Sequence, residues 1–168
     1  FNLSEWVKVP RPAARSIPGD TRWTVEQENL WEAALGTHGR SGWGQWDIWQ
    51  AVFGPQGEDG YPAPIWDKKS GTIDHEVAEA WRAMDLRIYL EENWATLGPQ
   101  LAGRLHIYAG DDDNYFLNNA VGLMEEFLDS TTDPPAEADV QYGDNQGHSW
   151  WPYTTPELLT LMYEAMQP

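Results

Sequence analysis

The sequence predicts an α/β chain whose last third is a strand–helix–strand–helix unit, preceded by a helical and irregular tryptophan-rich segment. Three observations predict it. "RLHIYA" (104–109) and "ADVQY" (138–142) are short apolar strands, an amphipathic stretch lies between them, and 37–71 is dense in glycine, proline and tryptophan with at most a short helix in its middle. A single domain of 168 residues is expected, with a connector over 1–23, a helical, lid-like segment over 24–100 and the strand–helix unit over 101–168. The chain starts at Phe1, which reads as a processed or cut end, so the domain is expected to be partial.

In chain order, Glu5 to Val9 suits a short strand, and the prolines that follow make further regular structure up to Trp23 improbable. Thr24 to Leu35 predicts a helix: Thr24 with Gln27 three residues on forms a capping box, and Gly36 stops it. The 37–71 segment is either the wall or lid of a cleft or a loop pinned to the body by Trp43, Trp46, Trp49, Phe53 and Trp66. Residues 73–97 predict a helix ended by Gly98 and Pro99, with Val77, Trp81, Met84 and Ile88 on one stripe, Leu86, Leu90 and Leu97 on another, and a bend or a break near Asp85 where the phase changes. After "RLHIYA", Phe116, Ala120, Leu123, Met124, Phe127 and Leu128 recur at helical spacing. The last helix, "TTPELLTLMYEAM", takes Thr155 as cap, Pro156 at its first position, and Leu158, Leu161, Met162 and Ala165 on one face.

Charge and composition exclude several classes. Against 27 acidic residues stand 10 basic ones, a net charge of -17, and such a surface repels phosphates and anionic headgroups, so neither nucleic acid nor a membrane surface is an expected partner. Apolar runs are far shorter than the roughly 20 residues of a membrane span. The absence of cysteine removes disulfides and thiolate chemistry and leaves the compartment open. Eleven tryptophans imply a mixture of core packing and a stacking surface, with core the larger share.

Two strands joined by a helix are expected to lie parallel, with their carboxyl ends on one edge, where the sites of open α/β sheets gather. The loops leaving that edge are "GDDDNY" and "GDNQGHSWW", so the topology delivers an acid cluster beside His148. A carboxylate that holds a histidine fixes its tautomer and stabilises the imidazolium formed when a hydroxyl proton is taken.

"LHIYAGDDDNYFL", an apolar strand followed by Gly110-x-x-Asp113, and "GHSWW" one strand–helix unit later resemble the C-terminal part of an α/β-hydrolase-fold esterase, a serine hydrolase. The resemblance covers 101–168 well and the earlier residues loosely. It implies Asp113 as the acid and His148 as the general base of a Ser-His-Asp triad, with Asp111 and Asp112 not separable from Asp113 by sequence. The nucleophile of such enzymes lies in Gly-x-Ser-x-Gly. Here the nearest match is "GRSGWG", where Ser41 is followed by Trp43 in place of the second glycine, and the oxyanion-hole loop has no match. The serine and oxyanion hole are therefore expected from sequence upstream or from another chain, leaving this chain alone inactive and the edge or a face of its sheet open to the rest.

Under this reading Trp43, Trp46, Trp49, Trp66 and Trp150 line the site of an ester substrate, aryl or sugar, and no cofactor or metal is implied. The alternative is a non-catalytic module that uses exposed tryptophans to bind carbohydrate or a partner protein. Other chemistries are weak. "HEVAE" (75–79) has Glu79 where a zinc-protease helix needs histidine, and "DDDN" fails the calcium-loop spacing, leaving only a loose cation site at Asp111 and Asp113. The acidic residues are too many for carboxylate spacing to indicate glycoside cleavage. His106 reads as a packed strand residue, and nothing selects His38.

Overall fold

The structure, a computed structural model, describes residues 12–17, 19–35 and 44–167. The expected strand at Glu5 to Val9, together with His38, Ser41 and Trp43, lies outside the described residues. The fold is mixed α/β, with an antiparallel pair of short strands and a two-stranded parallel sheet.

The antiparallel pair is β1 (Ala14–Arg15) with β2 (Thr21–Trp23). It corrects the reading of this stretch as an irregular connector. Two- and three-residue strands leave no periodic signal, and neighbouring prolines mask what remains. Helix α1 (Val25–Leu35) begins as its residues dictate: Gln27 N–H donates to Thr24 Oγ1 at 3.2 Å and Thr24 N–H donates to Gln27 Oε1 at 2.9 Å. Its inward face is polar. Buried Asn29 accepts a hydrogen bond from Trp66 Nε1 at 2.6 Å, and buried Glu32 accepts from the backbone N–H groups of Trp46 and Asp47 at 2.9 and 3.2 Å. Those two donors open helix α2 (Gln45–Phe53), whose cap position is Gly44 and has no side chain to offer. Glu32 thus supplies the anionic cap from another helix, and a Cβ on Gly44 would run into its carboxyl group.

Around these helices a first core gathers Ile65, Trp66, Ala78 and Trp81, with Val25, Trp46, Trp49, Phe53, Ile73 and Val77 packed on it. Trp46 meets Trp66 edge-on at 5.0 Å between ring centres and stacks beside Trp49 at 6.3 Å. The break anticipated near Asp85 is present, and the 73–97 stretch forms two helices. Helix α3 (His75–Ala80) runs into a 3-10 turn (Trp81–Met84), and α4 (Leu86–Leu101) restarts after it. Asp74 and Asp85 begin the two helices: Asp74 Oδ1 accepts from Glu76 and Val77 N–H, Asp85 Oδ1 from Arg87 and Ile88 N–H. Two members of the anticipated stripes, Met84 and Leu86, are exposed because they fall at this break. Helix α4 also passes through Gly98 and Pro99 instead of ending there. Pro99 removes a single backbone donor, while Leu101 in the last turn packs into a second core of Trp94, Leu128 and Ala136. Gly98 lets that core close, since a Cβ there would lie 2.8 Å from the Trp94 ring.

The parallel sheet joins β3 (His106–Gly110) to β4 (Asp139–Gly143) through helix α5 (Leu117–Ser130), in the register His106↔Asp139 to Gly110↔Gly143. Residues paired in a parallel ladder share a face. Ile107 packs on the same second core as Leu128, Met124 and Phe127 of α5, and Tyr142 donates to Glu125 Oε2 at 2.9 Å, so this helix covers the face of the odd-numbered β3 residues. The other face is polar. Tyr108 donates to Asp139 Oδ2 at 2.6 Å, Gln141 donates to Asp139 Oδ1 at 2.9 Å, and Trp151 and Tyr153 lie edge-on to the Tyr108 ring. His106, expected to be packed, has a side chain 59% exposed and 3.4 Å from Asp139, because it starts the strand on this polar face. The last helix, α6 (Thr155–Ala165), is capped by Thr154 one residue before the anticipated Thr155, with Glu157 completing the box. None of its residues is buried, and Leu161 and Met162 of the anticipated face stand in the open.

Candidate functional site

Gly110 and Gly143 are the last paired residues of β3 and β4, so both loops leave the same rung of the ladder. Each glycine is required by a close approach. A Cβ on Gly110 would collide with the carbonyl oxygens of Gln146 and Gly147, and one on Gly143 with the Trp150 indole. The loops are then tied to each other: Asp111 N–H donates to Gly143 O at 3.1 Å, Asp112 N–H to Gln146 O at 3.0 Å, and Gln146 N–H to Asp111 Oδ1 at 3.2 Å.

This registration brings His148 Nδ1 to 2.8 Å from Asp113 Oδ2. The three acids are separated by what they bind. Asp113 is the buried one, its side chain 4% exposed against 45% for His148. Its other oxygen, Oδ1, accepts from Tyr115 N–H at 2.7 Å and Leu117 N–H at 3.2 Å, at the start of α5, where Phe116 adopts the left-handed conformation (φ 63°) and offers no capping side chain. Asp113 therefore does two jobs, as anionic cap of α5 and as partner of the ring. Asp112 instead faces Arg15, with 3.6 Å between the charged atoms, and Asp111 binds the histidine loop through Gln146.

A carboxylate accepts only, so Nδ1 of the neutral ring carries the proton and Nε2 carries the lone pair. Among the described residues Nε2 has no hydrogen-bond partner. His148 packs edge-on against Tyr115, 4.9 Å between ring centres, and borders an open cleft of about 440 Å³ lined by Asn114, Gln146, Gly147, His148, Ser149, Trp150 and Trp151. The arrangement presents a proton acceptor on a carboxylate-anchored ring beside two indoles and several amide and hydroxyl groups.

The tryptophans expected at the site divide. Trp150 lines the cleft. Trp66 is 5% exposed in the first core, with Trp46 and Trp49 packed on it, which corrects their assignment as a stacking surface. Indole area is more stabilising in that core than in water, and Asn29 satisfies the Trp66 N–H. The described part of 24–100 contributes none of the residues that line this cleft. Trp151, absent from the expected set, does line it. So does Asn114, whose only sequence signal is that it follows Asp113.

Among the described residues no group of three or more His, Asp and Glu side chains could hold a metal ion. Among the described residues no helix is long and apolar enough to cross a membrane. Compared with protein-family models, with curated proteins and with solved structures, the chain matches none.

Proposed function

We propose that this chain supplies the acid and the histidine of a Ser-His-Asp triad in a carboxylic-ester hydrolase. One observation carries the reading: a buried aspartate and a half-exposed histidine, 2.8 Å apart, at the shared carboxyl edge of two parallel strands. Asp113 holds the ring in the Nδ1–H tautomer, and Nε2 takes the proton of an incoming serine hydroxyl and returns it to the leaving alcohol. The serine and oxyanion-hole donors come from sequence upstream or from another chain. Ser149 lines the cleft but makes no hydrogen bond with His148 among the described residues. Trp150, Trp151 and the polar lining suit an aryl or sugar ester.

The test joins this chain to the sequence encoded before Phe1 and follows hydrolysis of a p-nitrophenyl ester. The joined protein is expected to turn over, to lose activity on His148→Ala, and to lose about 10⁴-fold in kcat on Asp113→Asn through the wrong tautomer. The chain alone is expected to show no turnover and no labelling by a fluorophosphonate. Labelling of Ser41 or Ser149 in the chain alone would refute an external nucleophile, and a joined enzyme indifferent to His148→Ala would refute the triad.

A further inference from the structure

The loops that carry the two functional side chains are also gripped from the N-terminal end of the chain. Arg15 Nε donates to Asp113 O at 3.0 Å, its Nη2 reaches Asp111 O at 3.4 Å, its Nη1 faces the Asp112 carboxylate at 3.6 Å, and its guanidinium lies 5.0 Å from the centre of the Phe116 ring. One side chain thus touches Asp111, Asp112, Asp113 and Phe116, about 100 positions away. Asn114 is held through its neighbours. Arg15 N–H donates to Asn114 O at 2.9 Å, Asn114 Nδ2 donates back to Arg15 O at 2.9 Å, and Asn114 Oδ1 accepts the backbone N–H of His148 at 3.2 Å. Gly147 leaves room for this last bond: a Cβ there would sit 2.6 Å from Asn114 Oδ1 and 3.6 Å from Ile17 Cδ1, on the turn between β1 and β2.

We propose that Asn114 and Arg15 are positioning residues that hold His148 on Asp113, with the β1–β2 hairpin as the strap that anchors them. The inference bears on catalysis only through the function proposed above, but its physical content is independent of it. His148 is half-exposed and its loop is rich in glycine and small polar residues, so its edge-on contact with Tyr115 is not enough by itself to confine the ring. Confinement comes from the backbone bond to Asn114 on one side and the ring's bond to Asp113 on the other. Arg15 fixes the loop that presents both acceptors. Loss of the Asn114 amide frees the His148 backbone, and loss of Arg15 lets the acid loop move as a unit.

The test is NMR of the full chain, following the imidazole Nδ1–H proton of His148, assigned by its absence in His148→Ala. Asn114→Ala and Arg15→Ala are each expected to speed its exchange with water about five-fold, the factor one neutral hydrogen bond carries. Arg15→Lys keeps the charge opposite Asp112 but lacks the fork that reaches two carbonyls, so it is not expected to rescue. Leu128→Ala, which weakens the second core away from the strap, is expected to leave the exchange rate unchanged. Equal exchange in wild type and both alanine variants would overturn the proposal, as would an equal acceleration by Leu128→Ala. If Asn114→Ala does not fold, Asn114→Asp carries the test: it keeps the acceptor for His148 N–H, loses the donor to Arg15 O, and is expected to give a smaller acceleration. A failed esterase assay with this exchange pattern intact would sink the function and leave the strap standing.

Discussion

Asp113 shows how one side chain is committed twice. Its Oδ1 closes the start of α5 and its Oδ2 holds the histidine, so substitutions separate the two duties. Asp113→Ala strips the acceptor from two N–H groups and from the ring, and is expected to cost about 2–3 kcal/mol in urea unfolding, the range for orphaned buried donors. Asp113→Asn keeps a carbonyl for the helix start and is expected to cost less than half of that. Equal losses for the two variants would mean that the capping role is wrong. The pairing of Asp113 with His148 was legible in the sequence because strand order and loop order alone place the two loops on one edge. Selecting Asp113 over Asp111 and Asp112 was not, since three adjacent aspartates differ only in which way the backbone turns them. Arg15 and Asn114 were not legible either. Arg15 meets the acid loop 96 to 99 positions away, and no local pattern records a contact of that range.

At the scale of elements, the caps were the most readable features. Thr24 with Gln27 rests on side-chain-to-backbone bonds three residues apart, which the sequence displays directly; the break at Asp85 shows as a phase change in the apolar stripe, and the cap of the last helix was placed one residue late, at Thr155 instead of Thr154. What packing decides was misread at Pro99, through which α4 passes, and left open at Trp66, where a loop pinned to the body was one of two readings. The polar face of β3 and β4 yields its own prediction. Hydrogen bonds, first from Tyr108 and then from Gln141, hold the Asp139 carboxyl below its ordinary value of 3.8. Burial, and then the bond to Asp139, push the Tyr108 phenol above its ordinary 10.0. A lowered acid stabilises the fold above its unfolded pKa and loses that contribution as pH falls through the folded one; a raised phenol contributes below its unfolded pKa and loses it as pH rises through the folded one. The stability difference between wild type and Tyr108→Phe is therefore expected to be flat between about pH 5 and pH 9 and to shrink below about pH 3.8 and well above pH 10. Urea midpoints measured across that span check it, and a difference that varies steadily through neutral pH would contradict the pair.

For the whole molecule the decisive quantity is the charge of -17. Like charges at this density repel within the folded state and relax when the chain expands, so screening favours the fold. Raising sodium chloride from 50 mM to 500 mM is expected to raise the urea midpoint, and a midpoint that falls instead would mean that specific ion pairs such as Lys68 with Asp47 outweigh the general repulsion. The same charge bears on α6, whose Leu159, Leu161 and Met162 are left to water. Oily ridges of this kind cling to one another once nothing keeps molecules apart. Conditions that strengthen each folded copy therefore also lower the electrostatic barrier between copies, and concentrated stocks in brine will scatter light through contacts made by the C-terminal helix.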